Sequence, residues 1–358
     1  MRWSIFCRVV DNFGDIGFAW RLAADLAGRG ETVCLAIDDP SALAWLAPTG
    51  TAGVTVVDWD DAAAPRGEVL VETFGCGFPA QVDAGPGAAP PLAVRINVEH
   101  LSAESFVERS HGLPSPHFTP RGDPWPIWFF YPGFGERTGG LLREPGLLER
   151  RRAFGHGSAW LAARGIERRA GERCVSLFCY RNPALDALLE ALSAQATLLL
   201  LTPGPATEQA LALLGPGLRR GGLRAVRLPA LAQPDFDRML WSCELNLVRG
   251  EDSLVRALWS GAPFLWQAYP QEDAAQHRKI AAFLDRFLAD APTPLAGQLR
   301  ALFAAWNATG HGAAASAVSS LAWPDDAAWA ALCRRFRDRL GAQRDLAASL
   351  LEFAVSER

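Results

Sequence analysis

Trp3-Ser4-Ile5-Phe6-Cys7-Arg8-Val9-Val10, then Asp11-Asn12-Phe13-Gly14-Asp15-Ile16-Gly17, then Phe18-Ala19-Trp20-Arg21-Leu22-Ala23-Ala24-Asp25-Leu26-Ala27: an apolar run, a polar turn and an amphipathic stretch lie in succession near the start of the chain. The first predicts a buried strand and the last a helix closed by Gly28 or Gly30. A strand that feeds a helix through a glycine turn is the opening half of a βαβ unit. Open α/β sheets bind ligands just past the carboxyl ends of such strands. Gly14 and Gly17 would suffice for a turn, whereas Asp11 and Asp15 add two like charges four residues apart. That pattern predicts carboxylates aimed at a cation. The structural alternatives are a turn residue for Asp11 and an N-cap for Asp15.

Working outward, strands are predicted at Thr32–Ile37, 53–57, Val69–Thr73 and 92–98, with a helix after Pro40 running through Trp45. Gly and Pro cluster over 79–91 and 114–126, which predicts long site-shaping loops. After Phe134 the chain is arginine-rich and helical up to Arg173, where a second βα series begins. Strands over 174–180, 197–202, 224–228, 244–248 and 263–266 alternate with helices over 183–194, 206–214, 236–243 and 253–260, and the tail from Asp325 is helical. The pattern predicts an α/β chain of two Rossmann-like domains, residues 1–172 and 173–341, with a helix in 342–358 packing back on the first.

Composition narrows the function. The chain has 358 residues, 49% of them hydrophobic, and a net charge of -4. No global basic field suits it to nucleic acid, which is expected not to be a partner. Its seven cysteines are odd in number and lack CxxC spacing, the pattern of free thiols in a reducing compartment. No apolar run approaches the roughly 18 to 20 residues of a membrane span, and no leader pattern precedes the first strand, so a cytoplasmic protein without membrane attachment is expected.

The strongest motif of the second half is Asn246-Leu247-Val248-Arg249-Gly250-Glu251-Asp252-Ser253, a strand ending in a glycine turn that opens a helix, which closes at Gly261-Ala262-Pro263. A helix amino terminus supplies N–H groups and a positive dipole end for phosphate, and Arg249 adds a charge-assisted donor. Asp252 or Ser253 as a plain N-cap is the simpler alternative, but it does not account for Arg249 and Glu251 in the same turn. Phe178 and Tyr180 at the end of the second series' first strand, Gln233 and Phe236 at a loop–helix junction, and Tyr269 are candidates to stack on or read a base and reach a sugar or phosphate. Asp58-Trp59-Asp60 and Asp235-Phe236-Asp237 match a metal-binding DxD pattern but are discounted as chance matches. Gly75-Cys76-Gly77 lacks the third glycine of a dinucleotide fingerprint. His100, His111, His117, His156, His277 and His311 show no metal-ligand spacing.

The three motifs Asp11 to Gly17, Ser176 to Tyr180 and Arg249 to Ser253, in this order, together with Asn97 to Ser102 and Tyr269-Pro270-Gln271, resemble the protein-arginine rhamnosyltransferases that modify elongation factor P. The resemblance implies a GT-B fold, with two Rossmann-like domains facing across a cleft. It also implies an inverting, metal-independent transferase without cofactor, which uses dTDP-β-L-rhamnose and glycosylates an arginine of elongation factor P. It implies Asp11 and Asp15 as catalytic acids on an acceptor loop with Asn12, Phe13 and Gly14. The implied donor pocket is Phe178, Tyr180, Gln233, Phe236, Arg249, Glu251, Asp252, Ser253 and Tyr269. Chemistry agrees: a guanidinium with a pKa above about 12 is a poor nucleophile until a proton leaves. One carboxylate must hold the planar fork and another accept the proton. Asp15 is read as general base and Asp11 as orienting partner, with the exchanged assignment open. A sugar-nucleotide epimerase or a non-catalytic nucleotide-sugar-binding module are the alternatives, against which the acid pair argues.

Overall fold

The computed structural model describes residues 1–11, 13–60, 67–83, 93–118, 122–155, 157–269, 275–308 and 323–358. The chain divides into two compact units, Met1–Pro145 with Leu340–Arg358, and Gly146–Arg339.

In the first unit the strands are β1 (Arg2–Cys7), β2 (Thr32–Ile37), β3 (Val54–Asp58), β4 (Val69–Thr73), β5 (Val94–Val98), β6 (Pro114–Ser115) and β7 (Ile127–Phe130), in the order β3-β2-β1-β4-β5-β7-β6. All pairs are parallel except β6 with β7. Helix α1 (Phe13–Gly28) carries the chain from β1 to β2, while β4 returns to the other side of β1. The direction of winding therefore reverses between β1 and β4, the place where doubly wound sheets open a crevice. Strands β4 and β5 are buried at every residue, as a sheet covered on both faces requires. Three short helices, α2 (Leu43–Leu46), α3 (Ala80–Asp83) and α4 (Ser105–Ser110), complete the connections.

The C-terminal helix Leu346–Ser356 belongs to this unit. Its Leu346, Leu350 and Ala354 share one core with Trp3, Ile5, Ile16, Leu22 and Val71. Its N-cap Asp345 accepts from the Ala348 N–H at 2.9 Å and pairs with Arg29 at 2.8 Å. The Arg143 guanidinium donates to the carbonyls of Gly341 and Gln343 just before it.

The sequence boundaries shift in two informative places. Strand β1 ends at Cys7 and not Val10, and α1 begins at Phe13 and not Phe18, so the second half of the opening turn is the first turn of the helix. The cause is Asp15, whose carboxylate Oδ2 accepts the N–H groups of Val10 and Asp11, both at 2.8 Å. This satisfies backbone donors ahead of the helix, as in a capping box, and outweighs the low helix propensity of Gly14 and Gly17. The stretch at Ile127–Phe130, not assigned from the pattern, is a strand because it pairs with β5.

The second unit holds β8 (Arg173–Leu177), β9 (Thr197–Leu201), β10 (Arg219–Arg220), β11 (Leu223–Arg227), β12 (Leu245–Arg249) and β13 (Phe264–Gln267), in the order β10-β11-β9-β8-β12-β13. Only β10 with β11 is antiparallel. Helices α5 (Leu147–Phe154) and α6 (Ser158–Ala162) precede the sheet. Then α7 (Leu185–Ser193), α8 (Pro205–Leu214), α9 (Gln233–Trp241) and α10 (Gly250–Ser260) alternate with its strands, and α11 (Ala275–Phe287) and α12 (Thr293–Trp306) follow. Winding reverses between β8 and β12. The sequence reading placed the domain change at residues 172 and 173, whereas the units divide at Pro145 and Gly146 because α5 and α6 pack on this second unit. Phe154 meets the Trp241 ring at 5.4 Å, Arg151 donates to the Ser260 carbonyl at 3.0 Å, and the Trp160 indole donates to Asp235 at 3.0 Å.

Leu350 has no exposed surface although it lies eight residues from the C-terminus. Leu350→Ala is therefore expected to destabilise the protein by about 2–5 kcal/mol, read as a lowered urea midpoint at unchanged slope.

Candidate functional site

The site residues fall into two groups, one at the carboxyl edge of each sheet. In the first unit the edge beside the β1–β4 reversal carries the Asp11 and Asp15 turn. Asp15 is buried at 9% exposure with one oxygen engaged by two amides, and Asp11 is half-buried. The Gly14 N–H donates to the Asp11 carbonyl at 2.7 Å, and a Cβ built on Gly14 would come 3.2 Å from the Asp11 carboxylate. A side chain there would require the Asp11 carboxylate to give by a few tenths of an ångström. Phe13 is exposed and rests edge-on against Trp45 at 4.9 Å. Asn12 lies outside the described residues.

Beyond the prediction, the loops after β4 and β5 meet on the same edge. The Gly75 N–H donates to Asn97 Oδ1 at 3.0 Å, Asn97 Nδ2 donates to Glu99 at 2.9 Å, and the Gly77 N–H donates to Glu72 at 2.6 Å. Phe74 holds a φ of 60°, rare for a residue with a side chain, and stacks flat on His100 at 4.4 Å. Glu99 therefore puts a further carboxylate on this edge. No spacing rule connects it to Asp15, since only the pairing of β4 with β1 and β5 brings the loops together.

In the second unit five of the nine predicted donor residues form a continuous chain of ring contacts at the β8–β12 reversal. Phe236 meets Phe178 at 5.2 Å, and Tyr180 meets Tyr269 at 5.6 Å. The Arg249 guanidinium lies 5.0 Å from the Phe178 ring centre and 4.4 Å from that of Tyr180. Arg249 is 7% exposed, Gln233 is buried at the start of α9, and Tyr269 is half exposed. Phe178 is half-buried and belongs to the site edge, because β8 ends one residue before it.

Arg249 is itself the N-cap of α10 and makes no side-chain cap, so neither Asp252 nor Ser253 serves as the N-cap. The Ser253 hydroxyl instead donates back to the Arg249 carbonyl. Gly250 takes a φ of 64°, which lets the chain leave the buried strand and turn at once into the helix. Glu251 and Asp252 occupy the first turn, and the Lys279 ammonium pairs with Glu251. The Trp266 indole N–H donates to the Gly250 carbonyl at 2.7 Å and pins the turn from the neighbouring strand.

Beneath this surface Arg256 of α10 grips Asp237 of α9 through two bonds of 2.8 and 2.5 Å, both side chains fully buried or nearly so. The acids of the second DxD match are engaged by cations and an indole. Asp237 is committed to Arg256, and Asp235 takes Trp160, Arg164 and Arg238. Burial opposes it, but those hydrogen bonds and charges together hold the Asp235 carboxyl below its ordinary range. Among the described residues no group of three or more His, Cys, Asp or Glu is placed to hold a metal. Burial pushes the thiols of Cys7 and Cys179, beside the two site edges, well up from their ordinary value, so both stay protonated and serve as core.

Two doubly wound units with a cationic strand end leading into a helix define the class: this is the GT-B glycosyltransferase fold. Spinosyn forosaminyltransferase SpnP shares it at a TM-score of 0.55 and 13% identity over 99% of both chains. The glycosyltransferase VinC, solved with dTDP, does so at 0.52 and 13% over 100% of both. Within that class the likeness narrows sharply. A solved structure of EarP, described as the basis of arginine glycosylation of translation elongation factor EF-P, is 31% identical with a TM-score of 0.70, covering 100% of this chain and 99% of that one. The protein-arginine rhamnosyltransferases of Pseudomonas aeruginosa and Pseudomonas putida are 40% and 39% identical, each over 98% of this chain and 98% of their own length. The model of the Elongation-Factor P (EF-P) rhamnosyltransferase EarP family matches residues 3–355, and the chain belongs to that family.

Removing one partner from a buried ion pair leaves the other charge uncompensated. Arg256→Met is expected to cost about 3–5 kcal/mol of stability, measured by urea unfolding, by taking the guanidinium away from the buried Asp237 carboxylate beneath α10.

Proposed function

We propose that the chain transfers L-rhamnose from dTDP-β-L-rhamnose to an arginine guanidinium of elongation factor P, with inversion at the anomeric carbon, in the cytoplasm. Family membership supports the acceptor and the sugar. The observation that carries the donor assignment is Arg249, a nearly buried cation laid over Phe178 and Tyr180 at the reversal of the second sheet. A cation withdrawn from water beside a helix amino terminus suits a diphosphate.

The division of labour follows from charge. Asp11 receives the planar guanidinium and orients it. Asp15, fixed by two backbone amides through Oδ2, accepts the proton as the nitrogen attacks. Attack opposite the departing dTDP inverts the centre in one displacement. Arg249 and the first turn of α10 take up the charge that develops on the diphosphate. Phe178, Phe236 and Gln233 bind the thymine end, while Glu251, Asp252, Ser253 and Tyr269 border the sugar and phosphates. The chemistry asks for no metal and no cofactor, since the carboxylate removes the proton and the cation stabilises the leaving group.

Incubation with dTDP-β-L-rhamnose and purified elongation factor P is expected to add one deoxyhexose to an arginine of the factor, read by mass spectrometry; unmodified factor would refute the assignment. Asparagine at position 15 keeps an acceptor oxygen for the Val10 and Asp11 amides but removes the base. Asp15→Asn should therefore lose transfer by about 10²–10⁴-fold while dTDP affinity stays unchanged. Arg249→Ala should weaken dTDP binding itself by about 10- to 100-fold in calorimetric titration.

A further inference from the structure

Gln267 is the last residue of β13 and stands opposite Arg249 in the register of the parallel pair. Its side chain is nearly lost to solvent at 6% exposure. The Nε2 end donates to the Arg181 carbonyl at 3.2 Å. A carbonyl accepts only from the NH₂ end of an amide, so this bond fixes which end is oxygen. The oxygen, Oε1, is buried and has no hydrogen-bond partner among the described residues. An acceptor left that way costs about 1–3 kcal/mol. Asn307 next to it donates to the Trp266 and Phe303 carbonyls and accepts from the Ala268 N–H.

The strand order locates this oxygen. β12 lies between β13 and β8, and Arg181 follows β8. To reach Arg181 from β13, the Gln267 side chain crosses the carboxyl end of β12, where Arg249 emerges. The aromatic pair Phe178 and Phe236 and the start of α9 lie toward β8, β9 and β11, on the other side of Arg249 from β13. With a base at the aromatic pair and a diphosphate at Arg249, the group that comes next, beside β13, is the transferred sugar. The chemistry agrees. A phosphate oxygen is an acceptor and would repel Oε1, whereas a sugar hydroxyl is a donor and would satisfy it.

We propose that Gln267 is a sugar-reading residue whose Oε1 accepts a hydrogen bond from one hydroxyl of the transferred sugar. The proposal rests on the nucleotide-sugar reading above and adds to it the residue that tells the glycosylated nucleotide from the bare one.

The test compares calorimetric affinities of the full chain for dTDP and for dTDP-β-L-rhamnose. Gln267→Met, close in size and without a polar end, is expected to bind dTDP within about twofold of the parent. It should bind dTDP-rhamnose about tenfold more weakly, one hydrogen bond in affinity. Equal losses for both ligands would overturn the proposal and leave Gln267 as a support for the Arg181 turn; no loss for either would also overturn it. A second measurement needs no variant: among dTDP-sugars lacking the 2-, 3- or 4-hydroxyl, one should bind the parent protein about tenfold more weakly than dTDP-rhamnose. Unchanged affinity across all three would refute the contact. A parent protein that binds neither dTDP nor dTDP-rhamnose would overturn the donor reading itself. Normal parent binding with unselective Gln267→Met losses overturns this inference alone.

Discussion

A guanidinium drawn almost out of water at the end of a fully buried strand governs the second unit. Removing a cation from water costs several kcal/mol, and the two aromatic faces beneath it return about 0.5–2 kcal/mol each. The surrounding chain is arranged to hold that charge in place. The Gly250 turn starts the helix immediately beyond it, Trp266 fixes the turn, and the Arg256–Asp237 pair locks α10 to α9. Two of the protein's three tyrosines, Tyr180 and Tyr269, stand in the same chain of contacts. A cation held at a strand end beside a helix amino terminus suits an anionic ligand, and the proposed donor site rests on that placement.

The first unit solves a different problem with one residue. Asp15 begins α1 by receiving two amides ahead of the helix, and the same bonds orient its carboxylate. Folding and function therefore share an atom, since the oxygen that ends β1 cleanly also immobilises the proposed base. Gly14 contributes by absence, because a side chain there would crowd the Asp11 carboxylate. The C-terminal helix underwrites this arrangement from below, its Leu346 and Leu350 packed in one core with Ile16 of α1 and Ile5 of β1.

Much of this was legible along the chain. Alternating apolar runs marked both βα series, and the Arg249 to Ser253 motif and the Asp11 to Gly17 turn stood at strand ends where ligands bind. The start of α1 was misplaced because propensity favours a turn at two glycines, while the Asp15 hydrogen bonds run to residues outside the helix and leave no periodic trace. The strand at Ile127–Phe130 escaped notice because a strand is defined by its partner, and β5 is distant in sequence. Residues 146–172 read as the end of the first domain because their arginine-rich helices give no sign of the core they cover.

The sequence by itself determined the α/β class, the doubling of the unit, the chemical types at both edges and the family. These depend on local periodicity and on motifs whose members are neighbours in the chain. Tertiary structure alone decided that Phe236, Phe178, Arg249, Tyr180 and Tyr269 touch in series, that Glu99 joins the edge of Asp11 and Asp15, and that the Gln267 oxygen has no partner among the described residues. Each of those facts depends on strand order and on the point where winding reverses. Strand order comes from long-range pairing, where the free energy lies in burying both faces of a sheet at once, and no single segment of sequence carries that information.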